Sequence, residues 1–170
     1  MGIFKKGTLQ TTAPKDVPVE NIAEIKASEP AEPKWLTVAR KELGTKEITG
    51  AKHNPRILEY HAATKLKAKT DEVAWCSSFA NWCMKEAGIQ GTESAWARDW
   101  LKWGVPLKEP RLGCIAVYER NAPGGDSHVC FWTGRAGNYD LAIGGNQSNA
   151  VTISQQARGR LLGYRWPKGV

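Results

Sequence analysis

The stretch Asp71-Glu72-Val73-Ala74-Trp75-Cys76-Ser77-Ser78-Phe79-Ala80-Asn81-Trp82-Cys83-Met84-Lys85-Glu86-Ala87-Gly88 decides how the rest of the chain is arranged. Cys76, Phe79, Ala80, Cys83 and Ala87 recur at helical spacing and Gly88 supplies a stop, which predicts a helix of about three turns from Cys76 to Ala87. Cys76 falls in its first turn, where unpaired backbone N–H groups and the positive end of the helix dipole favour thiolate over thiol. Asp71 and Glu72, just upstream, suit a helix start. Cys83, on the same face but in the helix interior, reads as a small core residue.

Working outward, residues 1–33 carry four Lys and five acids, whereas residues 34–170 carry twenty Lys+Arg and twelve acids, in a chain of net charge +7. The basic part is the part expected to fold. Such a surface suits nucleic acid, anionic lipid or an anionic wall polymer, and charge alone does not choose among them. Residues 8–33 hold Pro14, Pro18, Pro30 and Pro33 among Thr, Ala, Glu and Lys, so a flexible N-terminal arm is expected over 1–33, with a short helix at 19–26, and one domain over 34–170. Neither an apolar signal core nor an apolar run of membrane-spanning length is present in the sequence, so the expectation is a chain made in the cytoplasm without a membrane span. Lys6 breaks the myristoylation pattern that Gly2 begins. The four Cys form no C-x-x-C pair, and reduced thiols are expected.

Trp35, Leu36, Val38, Ala39 and Leu43 predict a first helix closed by Gly44, and Asn54-Pro55 predicts the capped start of a second over 54–62. His53 and His61 lie too far apart for an i, i+4 metal pair and read as surface histidines. A fourth helix is expected over 94–104, capped by Ser94. Its Trp96, Trp100 and Trp103 form one stripe, readable as core or as the wall of a cleft. From residue 112 the period changes to two. Strands are predicted at 114–119, 128–133, 139–143, 151–153 and 161–166, between Gly- and Asn-rich turns. Helices first and strands afterwards indicate an α+β fold with an antiparallel sheet.

His128 opens a strand, with Cys130 and Trp132 on its face and Val129, Phe131 and Thr133 on the other. If the Cys76 helix packs across the His128 face, a thiol meets an imidazole, the pair a cysteine hydrolase requires. A third polar group must hold the other ring nitrogen. Asn146 is the first candidate, although Gly144-Gly145-Asn146-Gln147-Ser148-Asn149 also reads as a tight turn; Gln147 and Asp140 are the others.

Taken together, Asp71-Glu72-x-x-Trp75-Cys76-Ser77-x-Phe79-x-Asn81-Trp82, Ser127-His128-Val129-x-Phe131, Gly144-Gly145-Asn146-Gln147-Ser148 and Leu161-Leu162-Gly163-Tyr164-Arg165-Trp166 resemble the papain-like peptidoglycan hydrolases of the CHAP and NlpC-type group. The likeness is greatest to a branch found in phage lysins and bacterial cell-wall amidases. It covers about residues 35–170. The resemblance implies a papain-like fold and metal-independent cleavage of amide bonds in the peptide part of peptidoglycan, with no cofactor. It implies Cys76 as nucleophile and His128 as base. NlpC-type enzymes commonly carry a second histidine, but none follows His128 here, which favours the CHAP-like choice of Asn146. Papain's upstream oxyanion glutamine has no counterpart between Gln10 and Gln90. The Cys76 N–H is one donor, and Asn54 is a candidate for the other, against its capping role. Trp75 and Gln147 complete the substrate-side candidates. Gly113-Cys114 stands where these families often show Gly-Asp. A monomer acting on the cell wall after release or delivery is expected, as lysin, effector or housekeeping enzyme. The competing readings are a non-catalytic basic wall- or nucleic-acid-binding module, for which no nucleic-acid motif is found, and a cysteine transferase on the same scaffold.

Overall fold

Asn54 has extended backbone and its side-chain oxygen accepts from the Arg56 N–H at 2.9 Å, so the Asn-Pro signal starts a helix as the chemistry of the first turn requires. The computed structural model describes residues 31–121 and 123–170. Its helices are α1 (Lys34–Lys41), α2 (Pro55–Ala62) and α3 (Cys76–Glu86), followed by a 3₁₀ helix at Ala97–Lys102. Gly44 and Gly88, at φ +93° and +78°, end the first and third. The strands are β1 (Val105–Leu107), β2 (Ile115–Glu119), β3 (Ser127–Ala136), β4 (Tyr139–Gln147), β5 (Ala150–Ala157) and β6 (Leu161–Trp166). The expected arm up to residue 30, with its short helix at 19–26, lies outside the described residues, whereas Glu32 accepts from Arg40 Nε at 2.8 Å.

The strands form one antiparallel sheet in the order β1-β6-β2-β3-β4-β5. The fold is therefore α+β and papain-like, with the helices preceding and packing on the sheet. β1 was absent from the sequence reading because Pro106 sits at its centre; it is an edge strand, where a missing N–H is tolerated.

Helix α3 lies at the centre, between α1 and α2 on one side and β3 and β4 on the other, and Cys76 through Met84 are all buried. Its Phe79 ring meets Phe131 edge-on at 6.3 Å. The helix therefore rests on the Val129/Phe131 face of β3, not on the His128 face as expected. Alternation says which side chains share a face, not which face a helix takes. Gly145 makes this packing close: a Cβ there would lie 2.6–2.8 Å from Phe79 and Trp75.

Three further expectations are corrected. His61 is fully buried, with Nδ1 3.0 Å from Ser78 Oγ, and His53 is tied to the buried Asp71 carboxylate at 3.0 Å, so neither is a free surface histidine. Residues 94–104 do not form an α-helix. Ser94 Oγ does accept from the Trp96 N–H, but only 97–102 coil, as 3₁₀. With three residues per turn, Ala97, Trp100 and Trp103 align and the two rings meet edge-on at 5.0 Å. Trp96 falls outside that alignment and stands 74% exposed.

Candidate active site

Cys76 opens α3 behind Trp75, and its first-turn N–H groups have no intrahelical acceptors. It is 5% exposed, at the floor of a groove of about 690 Å³. Leu66, Val73 and Trp96 give this groove apolar walls; Arg120, Asp126 and Ser127 close the other side. Burial pushes the Cys76 thiol above its ordinary pKa. The Val129 backbone against the sulfur and the Arg120 charge pull the other way. Helix position alone thus leaves this buried thiol needing a base. Cys83 and Cys130, fully enclosed, are pushed up further, and burial holds Cys114 at about 12.

Val129, whose backbone favours the Cys76 thiolate, directly follows His128 at the start of β3. The His128 ring is 1% exposed, and its Nε2 lies 2.9 Å from Gln147 Oε1. Gln147 is itself oriented. Its Nε2 donates to the carbonyls of Thr152 at 2.7 Å and Ala142 at 3.4 Å, which turns Oε1 toward the imidazole. Gln156 Nε2 donates to the same Oε1 at 3.2 Å. An amide oxygen only accepts, so His128 carries its proton on Nε2 and presents a lone pair at Nδ1. Arg120 Nη2 is 2.9 Å from that Nδ1. Burial first, then the Arg120 charge, lowers the His128 pKa to about 4.

The structure thus brings Gln147, not Asn146, to His128. Ala142 pairs with Ser154 and Gly144 with Thr152, but Gln147 pairs with Ala150, so β4 holds one extra residue between Gly144 and Gln147. Asn146 sits in this bulge at φ +56°. A bulge inverts the alternation beyond it, and without it Asn146 would have shared the His128 face. The signal was Gly144-Gly145-Asn146, three residues tolerant of unusual backbone, read as a turn rather than as a bulge within a strand. Asp140, the remaining candidate, accepts from Tyr118 and Tyr164 hydroxyls at 2.7 and 2.6 Å and from Trp132 Nε1 at 3.0 Å, and has no bond to His128.

Two substrate-side expectations also change. Trp75 is fully buried, donates to Glu47 Oε1 at 2.8 Å and packs beside Tyr60, so it belongs to the core. The ring exposed in the groove is Trp96. Asn54 is engaged at both ends: its oxygen caps α2 and its amide donates to Lys46 O at 2.8 Å, and it does not line the Cys76 groove. Arg120 was missed altogether; a single basic residue between a strand and a turn carries no signal in sequence. Among the described residues, no three His, Cys, Asp or Glu side chains are placed to hold a metal ion. No described helix is long and apolar enough to cross a membrane.

A family model described as the CHAP domain matches residues 68–157, more than half of the chain and a span that includes Cys76, Arg120, His128 and Gln147. Among solved structures, the chain is similar to an NLP/P60 family lipoprotein from Staphylococcus aureus subsp. aureus Mu50, at 16% identity and a TM-score of 0.46. That match covers 95% of this chain and 46% of the other, so the chain spans about half the length of that relative. No curated protein matches.

Proposed function

The chain belongs to the CHAP domain family of papain-like peptidoglycan hydrolases, and from that premise we propose that it hydrolyses amide bonds in the peptide part of bacterial peptidoglycan. Cys76 acts as nucleophile, His128 as general base and Gln147 as the group that orients the imidazole. The observation that carries this reading is the fixed ring: Gln147 orients His128 with its proton on Nε2 and its lone pair on Nδ1, at the residue preceding Val129, whose backbone favours the Cys76 thiolate.

In the first half-reaction the Cys76 thiol proton passes to His128 Nδ1 and the thiolate attacks the substrate carbonyl carbon. The Cys76 N–H, unpaired at the helix start, donates to the developing oxyanion. The imidazolium then gives its proton to the departing amine, leaving a thioester. In the second half-reaction His128 takes a proton from water, whose oxygen attacks the thioester carbon, and the thiol is regenerated with release of a carboxylic acid. Gln147 accepts the Nε2–H throughout without itself ionising. The walls formed by Trp96, Leu66 and Val73 supply apolar surface for binding the peptide.

Incubating purified peptidoglycan with the protein and identifying the fragments by mass spectrometry tests the proposal and reads out which amide is cut. New amine and carboxylate termini are expected with wild type and none with Cys76→Ala. Fragments cut only within the glycan, or equal cleavage by Cys76→Ala, would overturn it.

A further inference from the structure

Arg120 lies between the Cys76 groove and the base. It follows β2, is half-buried, lines the groove with Cys76 and donates from Nη2 to His128 Nδ1. A guanidinium has donors only. Its bond therefore requires the Nδ1 lone pair, the same lone pair that must receive the Cys76 proton. While Arg120 is in place, His128 is oriented, neutral and unavailable. For the thiol to lose its proton to the ring, the guanidinium has to move.

What would draw it away is legible from its surroundings. Arg40, Arg56, Arg98 and Arg135 each have a carboxylate within 4.0 Å. Among the described residues Arg120 has none, as is also true of Arg111, Arg158, Arg160 and Arg165, but of these only Arg120 lines the Cys76 groove. The neighbouring acids are engaged: Glu119 accepts from Arg98 at 3.2 Å and from the Gly124 N–H at 2.6 Å, and Asp126 Oδ1 accepts from the Ser127 N–H at 3.0 Å. A half-buried guanidinium bonded to a neutral ring would form a stronger pair with a carboxylate, because the bond becomes charge-assisted on both sides and the planar fork can bind both oxygens.

We propose that Arg120 is a movable cap on His128 and the specificity-determining residue for anionic substrates: a carboxylate beside the scissile amide takes the guanidinium off Nδ1 and so frees the base. This inference rests on the hydrolase reading above. In the exchange, an N–H···Nδ1 hydrogen bond is replaced by N–H···carboxylate bonds, and the Cys76 S–H proton moves to Nδ1, giving a thiolate and an imidazolium. No oxidant or further reactant is involved. The charged and titratable groups facing His128 are Arg120 and Asp126 from the β2–β3 connection and Tyr118, its β2 partner, whose hydroxyl is bound to Asp140; Gln147 from β4 is neutral, and Cys76 of α3 shares the groove with Arg120 and Asp126. A thiol held protonated until substrate arrives also agrees with the buried setting of Cys76.

The test uses one preparation of muropeptides with free carboxylates and the same preparation with these converted to carboxamides. Wild type should show kcat/KM lower by about tenfold or more on the carboxamides, as expected when a charge-assisted pair is lost. In Arg120→Gln the two substrates should converge, and Arg120→Lys should retain part of the preference as a point charge. Equal rates in wild type, or the same preference in Arg120→Gln, overturn the proposal. A second arm needs no turnover. Iodoacetamide capture of Cys76 at pH 7, followed by mass spectrometry on folded protein, should be faster in Arg120→Gln than in wild type, because opening Nδ1 to the thiol outweighs loss of the Arg120 charge that favours the thiolate. An equal or slower rate overturns the cap. If wild type cleaves neither preparation, the hydrolase reading fails and the iodoacetamide rates still decide whether Arg120 caps the base.

Discussion

At His128 the chemistry depends on which side chain meets its Nε2–H. Gln147 does so at 2.9 Å and is held by two carbonyls, so Gln147→Ala should release the ring and lower turnover on the order of 10²-fold, with KM little changed. Asn146 has a left-handed backbone at φ +56°, and on the proposed reading its side chain has no part in the reaction. Asn146→Gly should therefore keep turnover within about twofold, since glycine adopts that conformation freely. Measuring kcat and KM for both variants separates the roles, and loss of activity in Asn146→Gly with Gln147→Ala unimpaired would reverse them. Trp96 is 74% exposed on the groove wall, and on the proposed reading it contacts the substrate without taking part in the reaction. Trp96→Ala should raise KM several-fold at nearly unchanged kcat, because it removes apolar contact made equally in ground and transition states.

At the scale of elements, the site depends on how tightly α3 lies against β4. The glycine at 145 lets Phe79 and Trp75 approach to distances that no Cβ permits. Gly145→Ala must push back two buried rings, at a cost of about 1–3 kcal/mol for overpacking. Since Cys76 belongs to that helix and Gln147 follows in that strand, the variant should also lose activity beyond its loss of stability. Urea unfolding beside turnover at a temperature where the variant remains folded tests this, and an unchanged midpoint would show that the contact is soft. The α2 cap gives a contrasting case. Asn54→Ala removes the bond to Arg56 N–H, expected to cost about 1 kcal/mol, and turnover should be retained because Asn54 lies outside the Cys76 groove. A turnover loss without destabilisation would restore it to the site.

For the molecule as a whole, a buried neutral base couples folding to pH. The His128 pKa falls from 6.5 to about 4 on folding, so the unfolded chain binds a proton that the folded one refuses throughout that interval. Stability is then fully present above pH 6.5 and declines as pH drops toward 4, by about 3 kcal/mol from this group. Burial lowers the His61 pKa as well and acts in the same direction. Urea midpoints between pH 7.5 and 4 should show the decline, and His128→Gln should flatten part of it. A decline of the same size in His128→Gln would assign it to other groups. Over the same interval the imidazole in the free protein stays neutral, so protonation from solvent does not take the Nδ1 lone pair.

Helix positions and strand order class were legible in the chain because they rest on local chemistry: the Asn54-Pro55 start, the stops at Gly44 and Gly88, and the period of two after residue 112. So were the positions of Cys76 at a helix start and of His128 near a strand start, since residue type and period specify both. Tertiary structure decided the rest. One extra residue in β4 turned Gln147 inward and Asn146 away, and a one-residue register change inverts every side chain beyond it. The 3₁₀ geometry moved Trp96 off the core stripe, while close packing on Gly145 enclosed Trp75. The contact of Arg120 with His128 joins residues at the two ends of a turn, and no periodicity encodes a meeting that depends on where the chain folds back on itself.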